Sequence, residues 1–180
     1  MPRVQSFPPI ADAKARILIL GSMPGNASLA AGQYYAHAQN LFWHILGEVT
    51  GMAASAPYAA RALALRSHGI ALWDVLASCT REGSLDSAID EASIDANDFA
   101  SFYRLHPGIV QVFFNGAKAE ASYRKYVLPG LADGLGPQHF RRLPSTSPAN
   151  ASMSRAYKHR VWKRALRLAL VGRQGAAGPG

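Results

Sequence analysis

Cysteine is almost absent: Cys79 is the only one in 180 residues. That excludes a disulfide framework and any zinc or iron–sulfur site built wholly from the chain's own cysteines. His44, His68, His106 and His139 show no metal-ligand spacing, so no metal is expected. No apolar run is long enough to cross a bilayer, and the first fifteen residues lack the apolar core of a secretory signal. The expectation is a soluble, cytoplasmic protein with no membrane partner, acting as a monomer. Acidic residues are scarce in one region. Residues 121–180 hold eleven Lys/Arg against Asp133 alone, whereas residues 1–120 hold eight against ten acids. Such asymmetry suits a polyanionic partner, nucleic acid before acidic membrane, or else a solvated basic helix face.

What is present reads as an ordinary globular composition, with 49% apolar residues able to bury a core. One domain is expected over residues 1–171, with a Gly/Ala-rich, frayed tail at 172–180. Arg16–Gly21, Gly69–Asp74, Ile109–Phe114 and His139–Leu143 read as strands, the first three as continuous apolar runs of the kind covered on both faces. Helical patterns lie near Leu41–Val49, Pro57–Ser67, Asp95–Leu105, Gly116–Val127 and Met153–Val171. Alternation of this kind predicts a three-layer α/β/α domain on a four-stranded parallel sheet. In such sheets ligands bind beyond the carboxyl ends of the strands, which directs attention to the segments that follow them.

The first strand runs into Gly21-Ser22-Met23-Pro24-Gly25, where glycine lets backbone approach a ligand, or simply makes a turn. It is no phosphate-cradling loop, because no Gly-Lys-Ser/Thr follows. The next stretch, expected to be loop, crowds Gln33, Tyr34, Tyr35, His37, Gln39, Asn40, Phe42 and Trp43 into eleven positions, a mixture suited to a stacked, edge-read nucleobase. Asn40 is either the cap of the following helix or an amide turned into the pocket with Tyr35 and His37. Asp74 ends the second strand as a cap or as an acceptor for a ligand N–H, and Asn115 has the same two readings. Thr80–Ser84 reads as a loop, with Arg81 in a phosphate contact or a surface salt bridge. Pro144-Ser145-Thr146-Ser147-Pro148-Ala149-Asn150 joins hydroxyls to rigid prolines, suiting phosphate contacts or an ordinary loop. In the final helix Tyr157, Val161, Trp162, Ala165, Leu166, Leu168 and Ala169 form one side, with Arg160, Lys163, Arg164 and Arg167 on the other.

Together, the strand with GSMPG, YYAHAQNLFW, GIALWDVLASCTREGSLDS, FFNGAKA and LPSTSPAN resemble the hypoxanthine-DNA glycosylases, the DNA-deoxyinosine glycosylase branch of the uracil-DNA glycosylase superfamily. The resemblance runs from about Arg16 to the final helix, with the motifs in family order. It implies base excision repair: a deaminated base, foremost hypoxanthine, is flipped from damaged double- or single-stranded DNA and its N-glycosidic bond is hydrolysed without further strand chemistry. It makes Asn40 the catalytic, water-positioning residue. Gly21, Ser22, Met23, Pro24, Tyr35, Phe42, Asp74 and Asn115 become the base pocket, with Tyr35 or Phe42 stacking on the base. Ser145, Thr146, Ser147, Pro148, Ala149 and Asn150 become the DNA-binding loop.

Departures from the family pattern narrow the substrate. Many members carry Asp or Asn where this chain has Met23, and in the hypoxanthine branch the catalytic asparagine lies instead in the stretch that contains Asn40. Ala38 stands where that branch usually has proline. Uracil-specific relatives have asparagine at the position of Asp74 and histidine at that of Ser145, which argues against a dedicated uracil enzyme. The resemblance leaves two alternatives, a uracil- or mismatch-specific glycosylase and a non-catalytic nucleic-acid-binding module of the same fold. The expected reaction is dissociative, with fixed donors at Ser22, Met23 and Ser145 stabilising the departing anionic base, and needs no metal or organic cofactor.

Overall fold

Short apolar strands buried on both faces set the architecture. The computed structural model describes residues 1–172. Strands β2 (Ile17–Gly21), β3 (Ile70–Asp74), β6 (Gln111–Asn115) and β7 (His139–Leu143) form a four-stranded sheet in the order β3-β2-β6-β7. All three pairings are parallel. Ile17 and Ile19 point to one face of it, Leu18 and Leu20 to the other. On the first face lie helices α2 (Phe42–Thr50), α3 (Tyr58–Ser67) and α6 (Arg155–Val171), which bury Phe42, Trp43, Leu46, Leu65 and Trp162 against Ile17, Ile19, Leu72 and Phe113. On the second lie α4 (Phe99–Leu105) and α5 (Ala117–Ser122), the latter running into a π-helical turn at Tyr123–Val127. The expected three layers and four parallel strands are therefore present.

Local signals account for where these helices start. Asp98 caps α4 by accepting from Ser101 N at 3.0 Å, and Ser154 caps α6 by accepting from Tyr157 N at 3.1 Å. Tyr157 and Leu168 fall at the borders of the buried stripe of α6 and remain exposed, contrary to the helix-face expectation. The tail expected at 172–180 lies, apart from Gly172, outside the described residues.

Three further elements depart from expectation. The segment after Asp74 is not a loop: only Val75 separates β3 from β4 (Leu76–Arg81). With β1 (Arg3–Gln5) and β5 (Ile89–Ala96), β4 forms an antiparallel sheet in the order β1-β4-β5. Ala96 ends a strand, so the helix expected from Asp95 begins only at Phe99. Small polar residues such as Ser78 and Thr80 hide this sheet from a hydropathy reading, yet Leu76, Cys79 and Ile89 pack into the second core face. A short helix, α1 (Asn26–Ala31), occupies what reads as loop, and left-handed Gly32 ends it. Among the described residues no helix is long and apolar enough to cross a membrane.

Candidate active site

At the carboxyl edge of the parallel sheet, between GSMPG, the 34–40 segment, the turn before β5 and the 145–150 loop, lies a cavity of about 530 Å³. Gly21, Ser22, Met23, Pro24, Tyr35, Asn40, Asp74, Asn115 and the whole of Ser145–Asn150 line it. Segments far apart in the chain thus converge where parallel strands end.

Its floor is built on a glycine. A Cβ on Gly21 would come within 2.4 Å of Asp74 Oδ1 and 2.9 Å of Tyr35 Oη. The absent side chain is what lets a carboxyl and a phenol approach each other above the strand end. Both groups are poor in partners: Asp74 Oδ2 and Tyr35 Oη are buried and neither makes a hydrogen bond of good geometry, although the Asn115 amide lies close enough to the phenol to act on it. Burial pushes the Asp74 carboxyl up to about 8, helped by the negative charge of Asp86 and opposed by Arg81. Burial, then the charge of Asp74, likewise pushes the Tyr35 phenol up, so it stays a neutral donor. An unsatisfied buried pair at the end of a strand is costly unless a ligand completes it.

Tyr35 is held there under backbone strain. Its φ is +55°, the left-handed region that a bulky side chain rarely adopts, at a cost of about 1–3 kcal/mol. Its neighbour supplies the restraint. Tyr34 is buried, its hydroxyl donates to Pro8 O at 2.9 Å, its carbonyl accepts from Trp43 Nε1 at 2.7 Å, and its N–H donates to the Tyr58 hydroxyl at 3.1 Å. One face of the Tyr35 ring stacks on Phe42, with centroids 4.1 Å apart.

Phe42 itself does not reach the cavity, which corrects its assignment as a base-stacking residue. As the first residue of α2 it turns inward with the apolar stripe and is fully buried between Tyr35, Trp43 and Trp162. It backs the ring that lines the cavity.

Asn40 stands one residue before Leu41, the N-cap of α2, and is not itself the cap. Its Oδ1 accepts from Phe42 N at 3.0 Å, holding the start of α2, while the residue lines the cavity. Asn40 N donates to His37 O at 2.9 Å, closing the turn in which His37 also reaches the cavity wall. Fixed in this way, the amide cannot swing out into solvent.

Asn115 is engaged with the loop. Its Nδ2 donates to Thr146 Oγ1 at 2.9 Å, and its Oδ1 accepts from Thr146 N at 2.9 Å. This reciprocal pair, fully buried at Thr146, clamps the 145–150 loop to the end of β6. Two more ties reach the loop from α6. Trp162 Nε1 donates to Pro144 O at 2.7 Å, and the buried Lys158 ammonium donates to Ser147 O at 3.1 Å and to Asn150 O. Burial, then Arg155, holds the Lys158 ammonium below its ordinary range. Pro148 and Ala149 stand exposed at the tip. The loop also joins the asparagine segment, since Leu41 N donates to Thr146 O at 3.1 Å.

Arg81 is in neither of its expected places. It is 1% exposed, so it forms no surface salt bridge and reaches no phosphate. Its guanidinium donates to Pro24 O at 2.6 Å and to Gly83 O at 2.9 Å, pinning GSMPG from beneath. Burying a cation there requires compensation, and the Asp86 carboxyl provides it through the field.

Asp86 is the residue that sequence reasoning passed over. It sits in the turn between β4 and β5, accepts from Ser22 Oγ at 2.6 Å and lines the cavity opposite Asp74. Although the residue is exposed at the mouth, dehydration of its carboxyl dominates and raises its affinity for a proton. The signal for it is the Gly83-Ser84-Leu85-Asp86 turn, visible only once the strands beside it are recognised. Among the described residues no three His, Cys, Asp or Glu side chains are grouped to hold a metal.

The chain as a whole, with this site at its sheet edge, is similar to known proteins. The family model described as the uracil DNA glycosylase superfamily matches residues 8–167. A hypoxanthine DNA glycosylase of Methanosarcina acetivorans is 36% identical over 152 residues, which is 84% of this chain and 90% of the relative. One of Methanosarcina barkeri is 41% identical over 116 residues, covering 64% of this chain and 72% of the relative. A solution structure of a candidate uracil DNA glycosylase from M. acetivorans superposes with a TM-score of 0.73 at 32% identity, covering 93% and 99% of the two chains. A match across nearly the whole length, joined to relatives at this identity, means that the chain belongs to the uracil DNA glycosylase superfamily.

Proposed function

We propose that this protein excises hypoxanthine from DNA, hydrolysing the N-glycosidic bond of a flipped deoxyinosine. The carrying observation is the buried, unpartnered Asp74–Tyr35 pair over Gly21, in a cavity rimmed by Asn40. Hypoxanthine presents a ring N–H beside a carbonyl. An ionised carboxylate accepts from the N–H but repels the oxygen, whereas a protonated Asp74 accepts with one oxygen and donates with the other. The neutral Tyr35 hydroxyl adds a donor, and the open face of its ring stacks on the base. Two relatives named hypoxanthine DNA glycosylase support the same substrate.

In this reading the bond from the sugar C1′ to the base breaks with its electron pair leaving on the base. Water adds to C1′, and one of its protons ends on the departing base. Asn40 has no basicity to take that proton. Its role is to orient the water, which is an entropic contribution. The donors near Asp74 stabilise the charge that grows on the base. Extrusion of the nucleotide costs a few kcal/mol, least for a weakened pair. The Ser145–Asn150 loop, fixed by Asn115 and Lys158, holds the flipped strand by its phosphates. The protein would act as a cytoplasmic monomer.

Alkali-cleavage assays with hypoxanthine, uracil, xanthine or thymine at one position, in duplex and in single strand, test this. Scission at deoxyinosine is expected, and Asn40→Ala should abolish it while the circular dichroism spectrum stays unchanged. No scission at deoxyinosine in any substrate would overturn the reading.

A further inference from the structure

A second concavity, about 760 Å³, runs along the outer face of α6 and is not part of the base cavity. Arg155, Arg160, Lys163, Arg164 and Arg167 line it, with Leu41 at one end and Leu168 at the other. Glu48 pairs with Lys163 and also contacts His159, which leaves the Lys163 charge compensated. Arg160, Arg164 and Arg167 are exposed and make no ion pair among the described residues. They fall at helical intervals of four and three, so like charges are stacked along one stripe. That arrangement opposes helix formation unless a polyanion neutralises it.

The position of the groove identifies the polyanion. Leu41, at its near end, directly follows Asn40 at the rim of the base cavity. Arg155, at the same end, donates to Gln39 O at 3.0 Å. The groove therefore begins on the other side of the segment that borders the flipped nucleotide. From Arg155 to Arg167 the helix rises about 18 Å. That length equals roughly five base-pair steps measured along the duplex axis.

We propose that this groove is a track for the phosphodiester backbone of the DNA that flanks the flipped nucleotide on one side. The inference rests on the glycosylase reading for its substrate, and it adds that recognition extends several nucleotides to one side of the lesion. Phosphates bind along the arginine stripe without sequence preference. Their contribution is lost as salt rises, because condensed counterions are released on binding.

The test uses the full chain and long duplexes with a stable abasic-site analogue placed centrally, near one end or near the other. The central site and one end position should bind alike, and the end position that removes the flank from the groove should bind more weakly. In the variant R160Q/R164Q/R167Q the difference between the two end positions should vanish. For the central site, the slope of log affinity against log salt should become shallower by about one per arginine, roughly three in all. Between about 50 and about 200 mM salt, wild type should then lose roughly forty-fold more affinity than the variant. An unchanged slope, or an end-position difference that survives the three substitutions, overturns the proposal. So does loss of binding to anionic lipid vesicles with no change in DNA binding, which would assign the stripe to a membrane surface. None of these readouts requires turnover. Absence of excision at deoxyinosine, with the arginine-dependent slope intact, would sink the glycosylase reading alone.

Discussion

Asp74 and Gly21 carry the sharpest consequences at the scale of single residues. Asp74 keeps a proton in the folded protein up to about pH 8, whereas an unfolded aspartate releases it near 4. Between those values the folded state binds more protons than the unfolded state, so stability falls as pH rises through the window. Asp74→Asn, neutral in both states, should flatten that decline, as thermal melts at about pH 5 and about pH 8 would register. The same substitution, which keeps an acceptor beside a donor at every pH, should remove an alkaline fall in hypoxanthine excision near pH 8. An unchanged pH profile would show that Asp74 does not read the base. Gly21→Ala forces a methyl group to 2.4 Å from Asp74 Oδ1. Overpacking should cost about 1–3 kcal/mol of stability. Displacing two groups at the reacting centre should lower excision about a hundred-fold, measured as kcat/KM.

At the scale of elements, α6 serves the loop as well as the core. Trp162 and Lys158 lie on its buried side and hold Pro144, Ser147 and Asn150 by their carbonyls. Lys158→Met keeps most of the apolar stem but removes the donor. Hydrogen bonds from a charged group are worth about 1.5–3 kcal/mol. The expected result is faster proteolysis within 144–150 and weaker binding of abasic-site DNA, with the helical signal retained. Equal proteolysis in the two proteins would remove Lys158 from that role. The antiparallel sheet has a comparable role at the opposite wall. By pairing β4 with β5 it carries Asp86 over the cavity, and through Arg81 it braces Pro24.

For the whole molecule, charge is separated from chemistry. Arg160, Arg164 and Arg167, which make no ion pair among the described residues, lie along α6, while the base cavity holds the carboxyls of Asp74 and Asp86. A polyanion is thus drawn to one face, and the carboxyl-lined cavity admits the base in preference to the backbone. Total affinity for undamaged DNA should fall steeply with salt, measured by anisotropy, while base preference measured by single-turnover excision should stay nearly constant. If base preference changed with salt in step with affinity, the two functions would not be separate.

Much of this was legible in one dimension. Continuous apolar runs at Ile17–Leu20, Ile70–Trp73 and Val112–Phe114 report strands buried on both faces, because covered strands need no polar alternation. Chain order and strand ends then located the cavity, and the motif at Tyr34–Trp43 marked its rim. What escaped was whatever depends on partners distant in the chain. Ser78 and Thr80 form a strand only because β1 and β5 pair with it. Arg81 looks like a surface cation until Pro24 and Gly83 close around it. Phe42 turns away from the cavity because Trp162, 120 positions on, completes the core on its other side. The sequence by itself determined the parallel sheet, the edge at which the cavity opens and the identity of the rim asparagine. Tertiary structure alone decided which polar atoms are left without partners over Gly21, since dehydration and hydrogen-bond satisfaction are properties of surroundings and not of residue type.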